Sequence, residues 1–378
     1  MSLGYLLLKL FLCLAVLDGL LLPVPGFFSP RLCASYHLPR TPTINYALAN
    51  NNLSKLPSGI SPFEKSISKS IDVQAGFRSK AKDAIDAALQ SSLTKLEIEF
   101  PPLIGGEKSK SQFDDFDNIQ ELDNNKDWTM EFAPMFHKDP FYKNGKTWLI
   151  FPDLKECEIA KKEWVGQRYQ EQTFTTIEAA TNFLLGDGAY DSPWGSALLS
   201  RVSKVLGGPN GDAGLLGNEA ALDQLSEVPL PSLLLVIQPG NGGPVEDWIN
   251  CELIYDGISK AVPMVVINGA LDKLRGGYYP KIFFPKLAAS VQRFFSNFES
   301  VFFLKPISDK GVYGWLYRVY PEPWQVILQR VAQAKIGSAM SVVDIVVHVS
   351  SERPSYAVAL SKLVEANRNL ENQQSSLP

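Results

Sequence analysis

Cysteine and histidine are scarce in this chain: its 378 residues hold four Cys, at 13, 33, 157 and 251, and three His. Thiols so few and so dispersed cannot form a disulfide scaffold. His137 lies in the polar stretch Phe136-His-Lys-Asp139, and His348 alternates with Val347 and Val349. Neither has a second His or a Cys at ligand spacing, so no metal site is expected. The G-x-S-x-G elbow of acyl-transfer enzymes and the G-x-x-x-x-G-K-[ST] phosphate loop are both absent. A basic excess is missing too: 36 Lys plus Arg stand against 40 Asp plus Glu, a net charge of -4, and no nucleic-acid partner is expected. What is present is ordinary globular composition, 45% hydrophobic and 20% charged, with 27 Gly and 26 Pro.

The N-terminal segment reads as an address. Residues 5–25 are apolar apart from Lys9 and Asp18, and the longest uninterrupted part, Leu10 to Leu17, has eight residues. That is too short for a bilayer core of roughly 30 Å, and fits a secretory signal peptide over residues 1–27. From Gly19 to Phe63 there is no Asp or Glu, while Arg31, Arg40 and Lys55 and many Ser and Thr are present. Acid-poor, Ser-rich, basic sequence marks a transit peptide, assigned with its linker to residues 28–65. The order signal then transit, with Phe27 and Phe28 at the junction, resembles the bipartite leader of algae with a secondarily acquired plastid. Gly26 before the aromatics is a departure from the small Ala or Ser usual there. Removing residues 1–40 leaves 33 basic and 39 acidic side chains and only Cys157 and Cys251, which are read as buried, inert thiols in helices.

The body is expected to be a single α/β domain over residues 70–368. Its sheet should be mixed but largely parallel and flanked by helices, with an antiparallel strand pair near the C-terminal third. Phe77, Ala81, Ala84, Ile85, Ala88 and Leu89 recur on one helical face. In Leu93–Phe100, Leu96, Ile98 and Phe100 alternate with Lys95, Glu97 and Glu99, which predicts a half-buried strand with its carboxylates solvated. Residues 103–145 read as a polar insertion, an acidic loop or short helix, since Glu107 to Glu131 hold eight acids against three Lys. Lys146–Phe151 is the next strand, and Asp153 a candidate N-cap for a helix through Trp164. A second insertion is expected at 186–217, where eight glycines fall.

Pro231–Ile237 and Met264–Asn268 are continuous apolar runs, as for parallel strands covered on both faces, with a helix between them. Leu287, Val291, Phe294, Phe295 and Phe298 form another helical stripe. Val301–Lys305 pairs with Gly311–Val319, Val342–Val349 reads as a further strand, and Pro354 opens a last helix with Tyr356, Leu360, Leu363 and Val364 inward. Residues 369–378 are expected to be a disordered tail.

Several phrases, in order, resemble a known family: Leu96-Glu-Ile-Glu-Phe-Pro-Pro102, Ile150-Phe-Pro-Asp153, Val266-Ile-Asn268, Phe298-Glu-Ser-Val301, Tyr320-Pro-Glu-Pro-Trp324 and Arg353-Pro-Ser355. The resemblance is to an uncharacterised plastid and cyanobacterial domain family of the Low-PSII-Accumulation type, also found fused to a plastid adenylate kinase. It implies a stromal protein, peripheral to thylakoids, that meets assembly intermediates of photosynthetic membrane proteins. It brings no catalytic residue and no cofactor.

Two segments remain as candidate sites. Gly240, Gly242 and Gly243 lie in a Gly-rich turn between strand and helix, where backbone N–H groups can cradle phosphate. Against this, Val245 stands where a third glycine belongs, Pro244 lacks an N–H, and Glu246 and Asp247 bring negative charge. The second segment runs from Lys273 to Lys335, with ten Lys or Arg against Glu299, Asp309 and Glu322, a local net charge of +7, and fourteen aromatics. Lys273, Arg275, Tyr278, Tyr279, Lys281, Arg318, Tyr320 and Trp324 are its candidate partner-binding residues. The expected function is non-catalytic assistance to assembly or accumulation of a photosynthetic complex. The alternative is a stromal enzyme or phosphate-responsive domain using the turn at 238–247.

Overall fold

Alternating apolar and helical patterns close into one layered unit, described in a computed structural model over residues 53–61, 66–104, 114–137, 142, 145–186, 230–240, 245–332 and 341–375. All of these lie within the compact unit Ala49–Pro378. Two short strands, β1 (Ile60–Ser61) and β2 (Ser66–Ser68), precede helix α1 (Ile71–Gln90), whose six-residue apolar stripe from Phe77 to Leu89 is buried throughout. Strand β3 (Lys95–Glu99) follows, then β4 (Leu103–Ile104), helix α2 (Asp114–Phe132) and strand β5 (Lys146–Phe151). Asp153 caps α3 (Leu154–Glu163), its carboxylate accepting from the Glu156 N–H at 2.9 Å. Thr176 ends β6 (Gln172–Thr176) and caps α4 (Ile177–Leu185) in the same way, accepting from the Ala179 N–H at 3.0 Å. The apolar run of β7 (Pro231–Ile237) leads to α5 (Glu246–Gly257), β8 (Met264–Ile267), α6 (Leu271–Arg275) and α7 (Pro285–Arg293).

The chain ends in β9 (Glu299–Asp309), β10 (Val312–Val319), β11 (Trp324–Ala332), β12 (Ser341–Ser350) and α8 (Tyr356–Ser375). Nine strands form one sheet in the order β12-β11-β10-β9-β3-β8-β7-β5-β6. From β9 to β6 all neighbours are parallel, and from β9 to β12 all are antiparallel. One face of the sheet packs on α1, α2 and α3 around Phe77, Trp128, Phe132 and Cys157. The other face carries two separate apolar clusters. Trp248, Ile254, Leu271 and Phe295 belong to the first, under α5, α6 and α7; Phe303, Trp324, Leu360 and Leu363 belong to the second, under α8.

The expected antiparallel pair is present as β9 and β10, and β11 and β12 extend it to four strands, Trp324–Ala332 joining β10 to β12. Three expectations need correction. The acidic stretch contains a 19-residue helix, α2, rather than a loop or short helix. Its C-terminal half drives an aromatic column into the core: Phe100–Trp128 at 4.8 Å between centroids, Trp128–Phe132 at 4.7 Å and Phe132–Phe136 at 5.0 Å. The last helix runs on to Ser375, into residues expected to be a disordered tail, and Tyr356 is half exposed rather than inward. Of the Gly-rich stretch 186–217 only Gly186 lies among the described residues, as do none of the leader residues 1–27.

Candidate functional site

Strand β3 lies where the two apolar clusters of one sheet face leave a gap, and the gap is filled by charge. Glu97 is fully buried; its carboxylate accepts from Arg275 at 2.8 Å and from the Ser300 hydroxyl at 2.7 Å. Glu99, two residues on and on the same face, is pushed up to about 8 by burial and by the charge of Glu97, partly offset by Lys305. Asp272 receives Lys305 at 2.8 Å and Arg353 at 2.6 Å. Burial alone would raise this carboxyl, but Arg353 and Lys305 hold it below the ordinary range. The sequence pattern put Glu97 and Glu99 in solvent, a reading the structure overturns. Strands β8 and β9 cover both edges of β3, and the partner cations arrive from α6, β9 and the segment before α8. This polar seam fixes α6 to the sheet, with Arg275 also donating to the carbonyls of Phe295 and Phe298 at 3.3 and 3.1 Å.

At the carboxyl ends of the parallel strands, where ligands of open α/β sheets commonly bind, a chain of amides joins four elements. Asn268 accepts from the Phe100 N–H at 2.8 Å and donates to Asn125 at 2.8 Å, which donates to Gln238 at 2.6 Å. Gln238 and Asn268 hold positive φ, 43° and 49°, immediately after β7 and β8. The relay pins both turns and leaves its own amides mutually paired. Gly240 is equally committed. It has φ 70°, its N–H donates to the Asp247 carboxylate at 3.2 Å, and a Cβ there would stand 2.4 Å from the Trp248 ring. A carboxylate thus occupies the N–H that a phosphate would need. Gly242 and Gly243 lie outside the described residues.

The loop between α6 and α7 is the most unusual surface. Its root is anchored by inward aromatics, Tyr279 lying 5.6 Å from Trp248 and 5.5 Å from Phe284 between ring centroids. Its tip points out: Tyr278 is 70%, Ile282 83% and Phe283 71% exposed. Lys273 and Lys281 are exposed beside them. The remaining sequence candidates scatter. Arg275 belongs to the seam, and Arg318 pairs with Glu299. Tyr320 is half-buried beneath Arg318, whose guanidinium lies 5.6 Å from its ring. Trp324 is 3% exposed, with Arg318 and Arg353 at 5.1 and 5.0 Å over its ring and Phe303 edge-on at 5.2 Å. Its indole serves the core, not a docking face, because β11 turns it under α8. Ile282 and Phe283 were not singled out in sequence, although the stretch 273–298 without a single Asp or Glu marks them.

A family model for a domain of unknown function (DUF1995) matches residues 75–358, three-quarters of the chain. The chain belongs to this family. No curated protein and no solved structure matches it. The DUF1995 region runs from within α1 to the start of α8 and so includes the seam, the amide relay and the loop. A cleft of about 420 Å³ between α1 and α2, lined by Gln74, Arg78, Asn124, Trp128, Glu131 and Trp164, lies mostly within it. Among the described residues no group of acids, His or Cys is placed to hold a metal ion, and no helix is long and apolar enough to cross a membrane. Cys157 and Cys251 are buried free thiols on α3 and α5, the first pushed up to about 11 by burial.

Proposed function

We propose that this chain is a non-catalytic plastid protein, stromal and peripheral to thylakoids, that assists assembly or accumulation of a photosynthetic membrane complex, photosystem II being the one its ordered motifs imply. The observation that carries the reading is the loop at 276–284: three large apolar side chains stand in solvent on an ordered root, beside exposed lysines, in a chain of net charge -4. Patches of this kind are kept exposed for association. The acid-poor leader supports a plastid address. In the seam, Glu97 is paired with Arg275 and Asp272 with Lys305.

Removing the protein from a plastid-bearing cell should lower photosystem II per chlorophyll, and the wild-type chain should restore it. A Tyr278→Ser/Ile282→Ser/Phe283→Ser variant should accumulate normally yet fail to restore the complex. Unchanged levels of every photosynthetic complex after removal would overturn the reading.

A further inference from the structure

We infer that the loop between α6 and α7 is an interfacial anchor for an anionic lipid bilayer, with Tyr278, Ile282 and Phe283 entering the boundary between headgroups and acyl chains. This rests on the membrane-peripheral role proposed above and names the surface that the loop meets. Three observations carry it. The first is shape: at 70–83% exposure the three side chains project with few contacts to their own chain, so they form a protruding tip rather than a flat patch. A protein partner needs a matching pocket for each such side chain, whereas the fluid bilayer boundary accepts them in any arrangement.

The second is order. The Tyr278 N–H donates to the Lys273 carbonyl at 3.0 Å, and the N–H groups of Phe283 and Phe284 both donate to the Pro280 carbonyl at 3.0 Å. Pro280 and Pro285 restrict the backbone further. Tyr279 and Phe284 are turned inward, so the tip is displayed before it meets a membrane and insertion costs little ordering.

The third is charge. Residues 273–298 contain Lys273, Arg275, Lys281, Lys286 and Arg293 and no acid. Arg275 and Arg293 are ion-paired with Glu97 and Glu252, and Lys273, Lys281, Lys286 and Arg293 are exposed. Glu121 of α2 feels the charge of Lys273. Aromatic and aliphatic tips flanked by lysine combine burial in the boundary with attraction to lipid phosphates.

Hydrogen exchange of the full chain, read by mass spectrometry with phosphatidylcholine vesicles containing or lacking phosphatidylglycerol, tests this locally. Residues 276–286 should exchange more slowly with the anionic vesicles only, and the protection should fade as salt rises. Ile282→Ser/Phe283→Ser should weaken vesicle binding at least about tenfold. Lys273→Glu/Lys281→Glu should weaken it by about fivefold or more per lysine at low salt. All variants share the apolar N-terminal segment, so differences between them belong to the loop. Unchanged exchange in the loop, or equal protection by neutral vesicles, would overturn the inference. Protection by detergent-solubilised photosynthetic complexes but not by vesicles would also overturn it, while leaving the proposed function standing. Protection by anionic vesicles, together with unchanged photosystem II levels after removal of the protein, would sustain the lipid anchor and sink the function.

Discussion

Glu99 keeps its proton near neutrality because burial and the neighbouring Glu97 carboxylate both disfavour a second charge in the seam. Its folded value of about 8 lies above the ordinary 4.5, so its contribution is fully present below pH 4.5 and is lost as pH rises through about 8. Denaturant unfolding across that window should show wild-type stability falling with pH, and Glu99→Gln should flatten the fall and be the more stable protein above pH 8. A variant that tracks wild type at every pH would remove Glu99 from the seam's titration. Trp324 makes a contrasting test. Trp324→Ala should cost about 3–5 kcal/mol by equilibrium unfolding, as for a buried aromatic, while leaving exchange protection of the loop by membranes intact. The strand containing Glu97 and Glu99 was legible as a strand, since Leu96, Ile98 and Phe100 alternate. Its polar face was not, because Arg275, which pairs with Glu97 Oε2, lies 178 residues away in sequence.

Elements whose pattern is local were readable: the stripe of α1, the cap of α3 at Asp153, and the apolar runs of β7 and β8 all appear where periodicity places them. Those hidden by composition were not. The acids of α2 masked the apolar spacing of Trp128 and Phe132, and the prolines at 321 and 323 masked β11, whose Gln325 and Gln329 are buried polar residues. Gln329 is satisfied by donating to Asp344 of β12 at 2.7 Å, a contact that spacing alone does not reveal. Helix α6 has five residues, of which Leu271 and Leu274 are buried in the apolar cluster, and the seam adds an ion-paired tie to the sheet through Arg275. Arg275→Ala strands Glu97 without its cation and should destabilise the fold by about 3 kcal/mol, with faster hydrogen exchange over 271–284. Lys273→Ala, on the same helix but exposed, should stay within about 0.5 kcal/mol of wild type. Equal effects from the two substitutions would mean that the seam does not hold the loop's root.

For the whole molecule the charge layout matters more than the net value. A chain of -4 overall exposes Lys273, Lys281 and Lys286 in a stretch, 273–298, that has no acid of its own, so attraction to an anionic surface should orient the loop toward it. Delivery comes first, and a fluorescent fusion of residues 1–65 should reach the plastid, while the same fusion with Phe27→Ala/Phe28→Ala should be held outside it. The most direct test of membrane docking is co-sedimentation of the full chain with isolated thylakoid membranes across a salt series, wild type beside Tyr278→Ser/Ile282→Ser/Phe283→Ser. Binding should be strong at low salt and weaken steeply as the Debye length contracts from about 30 Å at 0.01 M to about 8 Å at 0.15 M, and the variant should fall to a small fraction of wild type throughout. Binding that ignores both the salt and the three substitutions would contradict a docking role for the loop.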